Sequence, residues 1–298
     1  MVLPLAPESP VKSGSGPRVW RAGDARLSLV RPLVMGILNV TPDSFSDGGH
    51  FVDPAEALRR AERMVEEGAD LLDVGGESTR PGADPVDVDT ELHRVLPVLR
   101  LLRDRLAVPV SIDTRRAEVA AAALDEGAAI VNDISGLRDP EMAAVVAERG
   151  AGLVVMHMRG TPATMQAHTA YDRVVDEVVE ELRAPLARAD AAGIEPDHVV
   201  VDPGIGFAKT AAQNLQLIAG LSALSVLGRP VLLGVSRKAF LGSLLGGIPP
   251  RERAGATAAA CVAGLFAGAR IFRVHDVRPV RQALTVAEAI RAASDVCK

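Results

Sequence analysis

The chain has 298 residues, long for one domain but ordinary for an α/β barrel of roughly 250 residues with extensions. Aromatic residues make up only 3% of it, so the core implied by a hydrophobic fraction of 48% must be aliphatic. A net charge of −5 and the absence of any charge-free run of 18 apolar residues exclude a broad nucleic-acid surface, an anionic-membrane surface and a membrane span, while leaving room for a local anion-binding patch.

Residues 1–16 are rich in Pro, Ser and Gly and have no period, so they read as a disordered tail ahead of a single domain over residues 17–298. They contain no basic start followed by an apolar run, so no signal peptide is expected and the cytoplasm is the expected location. Residues 19–30 fit a short hairpin. Eight apolar, β-rich runs follow at 33–40, 70–75, 108–113, 130–134, 152–158, 198–202, 230–236 and 270–275. Each reads as an apolar run buried on both faces, as parallel strands are.

Amphipathic segments separate these runs. Asp53-Pro54 opens one, with Glu56 at the capping-box position, Leu58, Ala61 and Val65 on one face, and Gly68 as its stop. Asp139-Pro140 opens another, which runs through Met142, Val145 and Val146 to Gly150. Cys261 lies in the apolar helical run 258–266 and reads as a core residue; with Cys297 it forms no metal-binding spacing. Eight β-then-α units predict a closed (β/α)8 barrel of the TIM type, α/β in class, with the hairpin as an N-terminal extension.

Active sites of such barrels lie at the C-terminal ends of the strands. Those ends carry Asn39, Asp73, Asp113 with Thr114, Asn132 with Asp133, His157, Asp202, Ser236 with Arg237 and Lys238, and Arg273 with His275. Thr114, Asp133 and Asp276 also fit plain helix caps. Two long connections, 39–52 and 75–86, are dense in turn residues and read as binding loops. Neither is a nucleotide cradle. Lys209 follows Ala208 rather than Gly, and Gly204-Ile-Gly206 lacks a third glycine.

The strand-end segments are Met35-Gly-Ile-Leu-Asn-Val-Thr-Pro-Asp-Ser-Phe-Ser-Asp-Gly-Gly49, Asp73-Val-Gly-Gly-Glu-Ser-Thr-Arg-Pro-Gly82, Ser111-Ile-Asp-Thr114, Asn132-Asp-Ile-Ser-Gly136, Met156-His-Met158, Asp202-Pro-Gly-Ile-Gly-Phe207, Ser236-Arg-Lys238 and Arg273-Val-His275. With these eight in order the chain resembles the dihydropteroate synthases. The resemblance implies a transferase that joins (7,8-dihydropterin-6-yl)methyl diphosphate to 4-aminobenzoate, uses Mg²⁺, forms a homodimer and is open to sulfonamides as competitors.

It also implies roles. Asp113, Asn132, Asp202 and Lys238 would form the pterin pocket. Thr79, Arg273 and His275 would hold the diphosphate, with the metal on Asn39. Arg80, Phe45 and Phe207 would contact 4-aminobenzoate or close over the site, and Thr41 and Ser78 belong to the same loops. Asp113, Lys238, Arg273 and His275 are the expected catalytic set.

The residue chemistry agrees with these roles. A carboxylate such as Asp202 can accept from the adjacent N–H donors of a pterin edge, and Asn132 both donates and accepts. Arg273 can stack on the ring or grip phosphate. Many family members carry Ser after Ser-Arg-Lys; here Ala239 stands there, leaving the 4-aminobenzoate carboxylate to backbone N–H groups at a helix start. The rival readings are a pterin-binding methyltransferase-like barrel, which would need Asp202 and Asn132 but no diphosphate clamp, and a catalytically silent pterin-binding paralogue.

Overall fold

The structure, a computed structural model, describes residues 17–41, 53–78 and 85–296. The expected tail at 1–16, together with Phe45, Thr79, Arg80 and Cys297, lies outside the described residues. The chain opens with a hairpin of β1 (Val19–Ala22) and β2 (Ala25–Ser28), in which Gly23 supplies the left-handed turn residue. The strands β3 (Leu33–Asn39), β4 (Leu71–Gly75), β5 (Val110–Asp113), β6 (Ile130–Asp133), β7 (Gly152–Met156), β8 (Val199–Asp202), β9 (Leu232–Leu233) and β10 (Ile271–Val274) follow in parallel.

Each of these strands pairs with its sequence neighbour from β3 to β8, and β10 returns to lie between β3 and β9. A bridge from Val201 to Val231 brings the two ends of the sheet together. This is the expected barrel. Its seventh strand is shorter than expected, two residues of regular ladder against the run 230–236, because the chain leaves the sheet at Gly234 to form the Ser236–Lys238 turn.

Outside run α1 (Pro54–Glu66), α2 (Val88–Arg105), α3 (Ala117–Asp125), α4 (Met142–Glu148), α5 (Val174–Ala191), α6 (Ala211–Ala219), α7 (Ala239–Leu244), α8 (Ala254–Phe266) and α9 (Val277–Val296). The buried stripe of α1 is Ala57, Ala61 and Met64, one step round from the expected Leu58–Ala61–Val65 face; Leu58 and Val65 are only partly covered. Nor does a capping box form there. Asp53 accepts from the Ala55 N–H at 2.9 Å, and the reciprocal box occurs instead at Thr210 and Gln213 of α6. Asp139 accepts from Glu141 N–H at 3.1 Å and also from Ala117 N–H at 2.8 Å, tying α4 to the start of α3.

The two-residue period of the strands sorts the side chains. Leu72, Val74, Ile112, Val131, Leu153, Val155, Val199, Val201, Phe272 and Val274 point outward and pack in one core with the helices. Their alternates point inward. Low in the barrel these are Met35, Leu71, Ile130, Val154, Val200, Leu232 and Ile271, which share a cluster with Trp20, Ala22 and Leu29 of the hairpin region. Trp20 is fully buried and its indole N–H donates to the His198 carbonyl at 2.9 Å. The hairpin is therefore a plug that closes the lower end and leaves the upper mouth for chemistry.

Candidate active site

On six of the eight strands a polar residue stands one pleat above an inward one: Asn39 above Ile37, Asp73 above Leu71, Asp113 above Ser111, Asn132 above Ile130, Asp202 above Val200, and Arg273 above Ile271. Arg273 reaches past β3 to the ends of β4 and β5. Its Nε donates to Asp73 Oδ2 at 2.5 Å, and a terminal nitrogen donates to Asp113 Oδ2 at 2.5 Å. Asn132 donates to the same Asp73 oxygen at 3.0 Å.

Burial raises the Asp113 carboxyl above its ordinary range, against the pull of Arg273 and with the push of Asp73. Burial works against the Arg273 charge, but Asp73 and Asp113 more than offset it and hold the guanidinium charged. The second oxygens of Asp73 and Asp113 are buried with no partner among the described residues, so the site keeps unused acceptors.

Asp202 faces this group from β8. Its Oδ1 accepts the Gly204 N–H at 2.7 Å, and burial raises its pKa against that bond and the Lys238 charge. Lys238 lies with its ammonium 4.0 Å from the Phe207 ring centre, and burial, aided by Arg273, lowers it to about 8. Ile134, Met156, Met158, Met165 and Ala208 pack with Phe207 as an apolar wall.

The turn that presents Lys238 holds Arg237 at a φ of +57°, a costly conformation for a residue with a side chain. Arg253 donates to the Arg237 and Lys238 carbonyls at 2.9 and 3.2 Å, and the Arg237 guanidinium is paired with Asp276 at 2.9 and 2.5 Å. Asp276 is thus an ion-pair partner of that turn. Ser236 Oγ accepts the His275 N–H at 3.1 Å and lies 3.0 Å from His275 Nδ1. Burial, with Arg237 and Arg273, keeps His275 well below its ordinary pKa. With the hydroxyl donating to Nδ1, the neutral ring carries its proton on Nε2.

Other expected residues fall elsewhere. His157 has outward parity: its Nε2 is 3.0 Å from Glu181 on α5, and burial lowers it to about 4. Asp133 also points out and accepts from the Ser135 and Leu137 N–H groups at 2.7 Å each. Thr114 accepts from Arg116 N–H at 3.3 Å, a local turn. Asn39 is half-buried at the rim; a Cβ placed on Gly75 would stand 3.6 Å from its Oδ1 and 3.7 Å from Asp113 Oδ2. Thr41 is buried and Ser78 half-buried at the two loop stems.

Sequence reasoning missed two groups. Glu77 accepts from Arg115 at 3.1 Å, from Arg116 at 3.3 Å and from Val86 N–H at 3.3 Å, so it ties together both stems of the 75–86 loop. Lys209 is buried beneath the 202–208 loop, and burial lowers it to about 7. Its only sequence signal is a lysine in an otherwise Gly-rich apolar turn.

The model of the family described as "Pterin binding enzyme" matches residues 35–275. A dihydropteroate synthase of Synechocystis sp. is 48% identical over 261 residues, covering 87% of this chain and 90% of its own. The chain belongs to the dihydropteroate synthase family. Among solved structures, the Yersinia pestis dihydropteroate synthase in complex with a sulfonamide drug superposes with a TM-score of 0.88 at 43% identity, covering 92% of this chain and 99% of that one. The Burkholderia cenocepacia dihydropteroate synthase complexed with 7,8-dihydropteroate gives 0.85 at 46% identity, covering 94% and 98%. Family members catalyse the condensation of a pterin with 4-aminobenzoate in folate synthesis, a transferase reaction. Each family segment in this chain starts on a barrel strand or shortly after one.

Proposed function

We propose that this barrel mouth condenses (7,8-dihydropterin-6-yl)methyl diphosphate with 4-aminobenzoate, giving 7,8-dihydropteroate and diphosphate. The observation that carries it is the convergence of Asp113, Asn132, Asp202 and Lys238 beside an apolar wall that includes Phe207, with one oxygen each of Asp73 and Asp113 left without a partner among the described residues. Asp202 accepts from the pyrimidine N–H edge, Lys238 donates to the ring carbonyl, and Asn132 completes that edge.

Reaction breaks the bond between the methylene carbon and the diphosphate oxygen. Asp113 stabilises the cation that remains, the neutral arylamine forms the C–N bond, and a proton leaves the nitrogen. This S_N1-like course needs no strong base. His275, through Nε2–H, and Thr79 meet the leaving diphosphate. Arg273 contributes charge there from its pairing with Asp73 and Asp113. That makes it a bridge between pterin side and anion side rather than a free clamp.

Mg²⁺ fits the donor set. Asn39 offers a carbonyl oxygen near the carboxylate of Asp113, hard oxygen ligands of the kind this ion takes, and no group of three His, Cys, Asp or Glu residues among the described residues would hold a metal alone. Asn39 would hold such an ion together with oxygens of the substrate's diphosphate. When bound it would neutralise leaving-group charge.

A homodimer through α8 and α9 is supported by exposed Phe266, Val286 and Ile290, which edge an apolar groove with Val262 and Ala283. Sulfonamides, bound by the Yersinia pestis relative, are the expected competitors of 4-aminobenzoate. Among the described residues no helix is long and apolar enough to cross a membrane; a cytoplasmic location also suits the free, buried Cys261.

A coupled assay for diphosphate release tests the reading. Release from the pterin diphosphate that depends on 4-aminobenzoate is expected. Pterin binding without release would mark a silent paralogue and overturn it.

A further inference from the structure

Lys209 is only 3% exposed, and the reaction described above gives it no task. Its ammonium has three hydrogens and meets three acceptors: His157 Nδ1 at 3.0 Å, Gly204 O at 3.1 Å and Phe207 O at 2.9 Å. None is left over for a ligand. His157 backs it from the far side. For Nδ1 to accept, the neutral imidazole must carry its proton on Nε2, which then donates to Glu181 Oε2 at 3.0 Å. Arg159 in turn grips Glu181 and, at 2.8 Å, Glu177 on α5.

The loop above this chain of contacts has one backbone turn bond of its own, from Phe207 N–H to Gly204 O at 3.1 Å. Gly204, Gly206 and Ala208 are left-handed, at φ of +69°, +83° and +51°, so alternate residues break any regular ladder. Gly206 N–H is held by Asn214 Oδ1 at 2.7 Å. Lys209 grips two carbonyls, the first of them shared with that turn bond. One is the carbonyl of Gly204, whose N–H orients Asp202; the other is the carbonyl of Phe207, whose ring lies against Lys238.

We infer that Lys209, supported by His157, is a positioning residue for the pterin: it sets the Asp202 carboxylate and the Phe207 ring by gripping the carbonyls of Gly204 and Phe207. The inference rests on the assignment of Asp202 and Lys238 to the pterin. Steady-state kinetics of the full chain, varying each substrate in turn, test both. Lys209→Met and His157→Leu are each expected to raise KM for the pterin diphosphate at least tenfold, with kcat and the 4-aminobenzoate KM within threefold of the parent. His157→Asn keeps an acceptor at the δ position and should return the pterin KM to within threefold of the parent, which a loss of packing would not reproduce.

Asp202→Asn serves as the reference. If it raises the pterin KM and Lys209→Met does not, the Lys209 inference alone falls. If Asp202→Asn leaves the pterin KM unchanged, the pterin assignment falls and takes the inference with it. Should Lys209→Met fail to fold, the His157 pair decides: equal pterin KM for His157→Leu and His157→Asn overturns the proposal.

Discussion

Asp202 is buried with one backbone partner, the Gly204 N–H on Oδ1, so its other oxygen is left to a ligand. Asp202→Asn removes a charge-assisted acceptor and should weaken pterin binding by about 2–5 kcal/mol while sparing the fold. Calorimetric titration with a pterin would detect this, and affinity within threefold of the parent would remove Asp202 from the pocket. Lys238 gives a pH prediction. Its pKa is lowered to about 8, so the ammonium is present below that pH and lost above it, with Asp202, Asp113 and Arg273 as the charges that face it. kcat/KM for the pterin substrate should therefore fall as pH rises through about 8. Lys238→Arg, which stays protonated, should abolish that limb even if it lowers the plateau. An unchanged alkaline limb in the variant would assign the titration to another group.

The loop between β8 and α6 shows how an element constrains its residues. A Cβ on Gly204 would lie 1.9 Å from the His157 carbonyl oxygen, and the backbone there is left-handed. Gly204→Ala must push the loop away from β7, at a conformational cost of about 1–2 kcal/mol before the clash is counted. Loss of pterin affinity with a smaller loss of thermal stability is the expected outcome, followed by titration and by thermal unfolding in parallel. Pterin binding as tight as the parent's would show that the loop has room to shift.

At the scale of the molecule, the barrel has one end closed by the Trp20 hairpin and the other lined with charge. Of its large exposed apolar side chains, three fall together on α8 and α9, in Phe266, Val286 and Ile290. Covering them against a second copy would remove that area from water without touching the mouth. Light scattering should give a dimer for the parent and a monomer for Phe266→Glu combined with Ile290→Glu. A parent that is monomeric at micromolar concentration would end the proposal.

Much of this was legible in the sequence because a parallel barrel writes its pattern locally. Eight apolar runs ending in polar residues specify both the strand count and the end where the polar side chains gather; that rule places Asp113, Asn132, Asp202, Lys238 and Arg273 there among others, while their roles come from the family resemblance. What the sequence could not determine was partnership. His157 stands at a strand end like the others, but one residue of parity puts it outside the barrel against Glu181. Arg273 reads as a free cation until the fold brings Asp73 and Asp113, 200 and 160 residues away in the chain, to within 2.5 Å of it. Lys209 had no motif at all. Its role arises only because the pairing of β7 with β8 lays the end of β7 under the loop that follows β8, and a buried ammonium is tolerated there because three acceptors from three different positions meet its three hydrogens.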